Sequence, residues 1–417
     1  LSLALQAASS ATSTSTTPTI QASFAKEPDF FNSLLEGSNH SIPFAQLETW
    51  ATELSISKAF HEPLTIMPRP KEGKKGEWRP IGMSGRRRTA QQLILRDVLS
   101  ATVGDSPNDS TVKGAGGERA LFEALHAEIE NGYLWWASLD VRDYFPSLRP
   151  GHLAGFPLSK WMIQNLAFLP PETSIRFIDP KYGIELSEQV ILEGDDADLP
   201  LGYPYSMGSI GSKLKMVRQG LIQGDVCAPQ FARMVLGREL RRSTEKWDVV
   251  WGTHLDNILI GARAKSEAKA SIQALAHRLM SLPAGPLELH EHEIRHINDH
   301  VFFLGYRVSR GKDGTFYTRP ALERFDRLRT RLLSRLGNSI AYEKQDLVAV
   351  AVDYARRWFA GHPAWDKSAE SWHYVMAEVH WCVNRFILDE LTKGIGNWHI
   401  EDLDQDFLPA GGDNGLL

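Results

Sequence analysis

Tyr133-Leu134-Trp135-Trp136-Ala137-Ser138-Leu139-Asp140-Val141-Arg142-Asp143-Tyr144-Phe145-Pro146-Ser147 is the stretch on which the reading of this chain turns. The run Tyr133–Leu139 is apolar and β-prone, and it reads as a buried strand with Asp140 directly after it. A strand fixes the position of a side chain at its end, and Mg²⁺ prefers hard oxygen ligands, so a carboxylate placed there is suited to hold that ion. Taken alone, Asp at a strand end is equally an ordinary turn residue.

A second carboxylate lies downstream. Val249-Val250-Trp251 and Ile258-Leu259-Ile260 flank His254-Leu255-Asp256-Asn257, the pattern of a β-hairpin with Asp256 at its tip. Two strand-tip carboxylates can together hold the paired ions of an in-line phosphoryl displacement. Between them, Gln223-Gly224-Asp225-Val226-Cys227-Ala228-Pro229 leads into a helix over 229–242. Glycine lets backbone approach a ligand closely, and proline suits a first helical turn.

The chain has 417 residues, 42% hydrophobic and 23% charged, which suits two or three domains and excludes a wholly disordered protein. No apolar run reaches the ~20 residues of a membrane span. Two cysteines, Cys227 and Cys382, exclude a disulfide framework and a four-thiolate zinc site, and a reducing cytoplasm is the expected location. The net charge of -5 advertises no polyanion as partner, yet Arg69 to Arg96 holds nine basic residues against Glu72 and Glu77. Beyond Ile400 the balance reverses to an acidic tail over 401–417.

Residues 1–60 read as a Ser/Thr-rich disordered leader followed by short helices. Residues 61–82 read as strand, Lys/Gly turn and strand, with helices over 89–103 and 118–130. The Pro-, Gly- and Asp-rich stretch 170–218 reads as an inserted loop with a small hairpin. A helix over 264–282 precedes a single strand, Phe302–Val308, and a turn at Lys312-Asp313-Gly314; helices are expected from about Ala321 onward. The fold class is therefore α+β with a helical C-terminal domain. His290, His292, His296 and His300 match the spacing of neither one strand face nor one helix face, and are read as a partly exposed segment.

With Glu77-Trp78-Arg79-Pro80-Ile81 upstream and Phe303-Leu304-Gly305-Tyr306 downstream, the order of these segments resembles a reverse transcriptase of the bacterial branch. That branch includes group II intron, diversity-generating and defence-associated enzymes. The resemblance implies a right-hand polymerase: fingers and palm over 61–310, then a helical thumb and C-terminal domain over 311–400. It implies RNA-templated addition of dNTPs to a primer 3′ end, a DNA product, Mg²⁺ (or Mn²⁺) as cofactor, and a role in antiviral defence. Asp140, Asp256 and the Val141 carbonyl become the metal ligands, and Phe145 the gate that rejects a 2′-hydroxyl. Gln223 and Gly224 line the nascent base pair. Arg79 with Lys74 or Lys75 grips the triphosphate, and Lys113 contacts the template.

Three departures qualify the resemblance. The second hairpin Asp is Asn257, which offers an oxygen without charge. The Tyr usually found two residues before Asp256 is His254, beside the primer end, and the usual Lys before Phe303 falls at Glu293. Two alternatives therefore stay open: synthesis without a conventional template (protein-primed or protein-templated), or a catalytically weakened RNA-binding scaffold. A protein partner or self-association is also left open. In the thumb, Arg324, Arg327, Arg331 and Arg335 recur on one helical face beside Phe325, Leu328, Leu332 and Leu336. Such a helix can pack on a core while Arg324, Arg327 and Arg331 track a phosphate backbone.

Overall fold

The computed structural model describes residues 62–71, 74, 76–103, 108–112, 115–291, 293–311, 314–338 and 344–393. The expected leader and short helices of 1–60 and the acidic tail, with Lys75, Lys113, His292, Lys312 and Asp313, lie outside these residues. In chain order come β1 (Leu64–Pro70), β2 (Trp78–Met83), α1 (Arg86–Thr102), α2 (Gly117–Glu130), β3 (Trp135–Val141) and α3 (Tyr144–Ser147). Then follow β4 (Ile175–Asp179), β5 (Ile184–Ser187), α4 (Glu188–Glu193), α5 (Met207–Gln219), α6 (Ala228–Thr244), β6 (Val249–His254), β7 (Asn257–Ala262) and α7 (Lys265–Met280). The last elements are β8 (Leu289–Glu291), β9 (Arg295–His296), β10 (Val301–Phe303), β11 (Tyr306–Arg310), β12 (Phe316–Pro320), α8 (Leu322–Gly337), α9 (Lys344–Ala360) and α10 (Ala369–Lys393). The α+β class expected from the sequence is the one observed. Among the described residues no helix is long and apolar enough to cross a membrane.

The chain divides into two units. The first takes the described residues of 62–112, 139–247 and 270–291. Its sheet has the order β2-β1-β4-β5, with β1 antiparallel to β2 and parallel to β4. Alternation along β1 and β2 sends Leu64, Ile66 and Trp78 into a core with Phe177, Ile210, Leu214 and Ile222. The indole N–H of Trp78 donates to the Ser209 hydroxyl at 3.2 Å, so the buried ring keeps its one polar atom satisfied. The stretch 170–218 is thus no mere inserted loop. It supplies two strands of this sheet and the core helix α5, whose Ile210, Leu214 and Val217 are buried.

The second unit takes the described residues of 113–138, 248–269 and 292–393. There β6 and β7 form the expected antiparallel hairpin, and the first half of β3 pairs with β9. The strand begins at Trp135 rather than Tyr133 and runs through Val141, so Asp140 lies within it rather than after it. Phe302–Val308 is not one strand. It is a hairpin of β10 and β11 turning at Leu304 (φ 49°) and Gly305 (φ 72°), the two left-handed positions of a tight hairpin turn. Strands β10, β11 and β12 form a three-stranded antiparallel sheet. Phe303, Tyr306 and Val308 on its inner face pack with Phe325, Leu328, Leu332 and Leu336 of α8 and with Val375, Val379 and Ile387 of α10.

Candidate active site

Asp140 is half-buried between Leu139 and Val141, which are each 1% exposed, so the strand holds its position from both sides. In the first unit it stands opposite His290 of β8. Immediately after β3 the chain turns through Asp143, whose left-handed backbone (φ 43°) an aspartate tolerates, into α3. Tyr144 is buried and donates its hydroxyl to the Ala232 carbonyl at 2.7 Å. Phe145 is also buried, its ring edge-on to Tyr144, and its carbonyl accepts from the Leu221 N–H at 2.9 Å.

That last bond ties Phe145 to the loop carrying Gln223 and Gly224. A Cβ on Gly220 would fall 2.5 Å from the Pro146 backbone, so only glycine lets α3 rest on this loop. The Gln223 carbonyl accepts from the Gly82 N–H at 2.7 Å, and a Cβ on Gly224 (φ 114°) would fall 2.2 Å from the Gly82 carbonyl oxygen. Phe145, Gln223, Gly224 and the end of β2 are therefore one connected set of contacts.

Strand β2 also carries Arg79, which is exposed. Its cross-strand partner is Arg69 of β1, likewise exposed, and directly paired residues share a sheet face. Among the described residues no carboxylate forms an ion pair with either. Lys74 is exposed and stands 4.0 Å from Glu77, while Lys71 is closer at 3.1 Å and its hydrogen bond holds the Glu77 carboxyl below its usual range. Arg69 is the cross-strand neighbour of Arg79. The antiparallel register of the 64–83 hairpin is the signal that could have found it.

The residue beside Gly224 is a second one that sequence reasoning missed. Asp225 is buried and accepts from Ser84 at 2.5 Å, Gln92 at 2.7 Å and Arg88 at 3.2 Å. Arg88, only 4% exposed, also donates to the carbonyls of Asn165, Leu166 and Phe168. It is a structural cation that anchors α1 to the Gly224 loop, not part of a solvated basic face.

In the second unit, His254 and Asn257 close the β6–β7 hairpin as a facing pair, with Leu255 and Asp256 at the turn. Leu255 has φ 58°, a left-handed conformation that costs a branched residue about 1–2 kcal/mol. The Asn257 amide donates to the Asp256 carboxylate and to the His254 carbonyl, both at 3.3 Å. Asn257 thus acts on Asp256 through its N–H group, a role that an acceptor-only Asp could not fill.

The members of the expected arginine stripe differ in burial, and Arg327 donates to the Glu323 carbonyl at 3.0 Å while Arg335 lies 5.5 Å from the Tyr354 ring centre. Arg324 is half-buried, donates to the Leu304 carbonyl and lies 4.4 Å from the Tyr306 ring centre, so it braces the β10–β11 turn instead of facing solvent. Arg327, Arg331 and Arg335 are exposed beside the buried Phe325, Leu328, Leu332 and Leu336. The described histidines of 290–300 disperse: His290 stands on β8, His296 caps a short turn and meets Trp135 edge-on, and His300 has a left-handed backbone.

Among the described residues no group of three or more His, Cys, Asp or Glu side chains is placed to hold a metal ion. The oxygens that the resemblance assigns to a metal are the Asp140 carboxylate and the Val141 carbonyl, in the first unit, and the Asp256 carboxylate, in the second. These hard oxygens fit Mg²⁺, which commonly takes one or two carboxylates and completes its shell with water and substrate phosphates. No protein-family model matches the chain, and no curated protein matches it.

Proposed function

We propose that the chain is a DNA polymerase of the reverse-transcriptase type, with the right-hand fold that this implies, adding dNTPs to a primer 3′ end on an RNA template. The observation that carries the reading is the facing pair Arg69 and Arg79. Two arginines directly opposite on one sheet face without a carboxylate repel one another, and an incoming triphosphate is the anion that would neutralise both by bidentate bonding. The strand of Arg79 is joined through Gly82 to Gln223 and Gly224, and through Leu221 to Phe145, the residue types suited to line a base pair and to block a 2′-hydroxyl.

Asp140, with the Val141 carbonyl, and Asp256 would hold Mg²⁺, which when bound lowers the charge barrier to attack on the α-phosphorus. Asn257 orients Asp256 by its amide N–H. Arg69 and Arg79 bind the triphosphate, and Phe145 selects the sugar. The test is incorporation of labelled dNTPs by purified protein on a primed RNA with Mg²⁺ or Mn²⁺. DNA synthesis that requires the RNA supports the reading. Synthesis indifferent to the template favours the untemplated alternative, and binding of RNA without any incorporation favours the scaffold.

A further inference from the structure

The outer face of the β10–β11–β12 sheet carries a second pair of facing arginines. The register sets Phe302, Arg307 and Arg319 in one transverse row, on the opposite side from the buried Phe303, Tyr306 and Val308. The row continues at both ends. The Arg295 guanidinium lies 5.5 Å from the Phe302 ring centre, and that of Arg319 lies 5.2 Å from Tyr374 and 4.7 Å from Tyr317. The sequence across the face is therefore cation, ring, cation, cation, ring, and the three strand positions alone span about 10 Å.

Like charges directly opposite on a sheet destabilise it. Among the described residues neither Arg307 nor Arg319 is ion-paired with a carboxylate, whereas Arg295 is paired with Glu293 at 3.2 Å. The potential is felt nearby: burial first, and then Arg307, hold His300 below its usual range. Phe302 is 43% and Tyr374 44% exposed, so each ring has surface left to contact a ligand. A cleft of about 640 Å³ borders Tyr317, Arg319 and Tyr374 at one end of the row, and a groove of about 300 Å³ borders Arg295 and Phe302 at the other.

We propose that this face binds a single-stranded nucleic acid, its phosphates on Arg307 and Arg319 and its bases stacked on Phe302 and Tyr374. Cations interleaved with exposed rings suit a strand whose bases are unpaired, because a duplex hides the base faces. An acidic peptide would satisfy the arginines and leave the rings unused. The face involves neither Asp140 nor Asp256, so it stands or falls apart from the polymerase reading.

The test is anisotropy of a fluorescein-labelled oligothymidylate in EDTA, where no synthesis occurs, across a salt series. Arg307→Gln/Arg319→Gln should weaken binding about tenfold and reduce the slope of log affinity against log salt by about 1.4, at ~0.7 per phosphate on a single strand. Phe302→Ala should weaken binding about fivefold or more at an unchanged slope. A measurement that needs no variant is ultraviolet crosslinking of a thiothymidine-substituted strand, which should label the peptides holding Phe302 or Tyr374. Unchanged affinity and slope in the double variant, equal competition by a duplex or by polyglutamate, or crosslinks confined to other peptides would each overturn the proposal.

Discussion

Asn257 is where the residue scale is most informative. Its amide donates to Asp256, so replacing it by Asp removes a donor and places a second negative charge beside the first. Asn257→Asp should therefore lower incorporation without relaxing the Mg²⁺ requirement. A metal titration of both proteins checks this, and a lower Mg²⁺ optimum in the variant would mean that the amide is dispensable. Arg88 and Asp225 make the complementary case for stability. With side chains 4% and 1% exposed, removing either partner leaves a buried charge unmet, at about 3–5 kcal/mol. Arg88→Ala should lower the midpoint of urea unfolding far more than Arg86→Ala, since Arg86 is exposed. Equal midpoints would mean that the buried Arg88–Asp225 pair contributes no more than an exposed arginine does.

At the scale of elements, the β1–β2 hairpin sets function against stability. Arg69→Gln relieves the repulsion with Arg79, so the fold should melt no lower, while the KM for dNTP should rise roughly tenfold on loss of a charged hydrogen bond. Steady-state kinetics with a thermal melt check both halves, and an unchanged KM would remove Arg69 from the site. This hairpin, α1, α2, α6, the β6–β7 hairpin and the buried stripe of α8 were all legible in the sequence. Their signals are local: alternation, helical spacing and turn chemistry within a window of a few residues. What escaped was non-local or rested on an improbable backbone. Nothing in Ile175–Asp179 announces that it pairs in parallel with β1, and Leu304 gives no hint of a left-handed turn that divides Phe302–Val308 in two. Asp140 and Asp256 were singled out as strand-end carboxylates, and the structure places Asp140 inside β3 and Asp256 in the turn between β6 and β7. Arg69 and Asp225 were not singled out, because their significance lies in the partner across the sheet or under the helix.

At the scale of the whole molecule, both units carry histidines that burial holds below their ordinary value of 6.5: His152 in the first, His126, His300 and His362 in the second. His152 accepts from the Arg149 N–H at 2.8 Å, and His362, pushed down to about 4, stacks 4.1 Å from the Trp358 ring centre. Each is harder to protonate in the fold than in the unfolded chain, which takes up the proton at the ordinary value. Their contribution to stability is complete above pH ~6.5 and is lost as the pH falls below it, for His362 through the range down to about 4. Melting temperatures should be level from pH 8 to about 7 and decline steadily below, and His362→Gln should flatten the decline; a variant that follows the wild-type curve would exclude His362. Nucleotidyl transfer is the claim on which the rest depends, and it is tested most directly by dNTP incorporation in Asp140→Ala and Asp256→Ala, each compared with wild type at matched thermal stability. The account predicts that either substitution abolishes synthesis while the melting temperature holds; synthesis undiminished in either variant would contradict it.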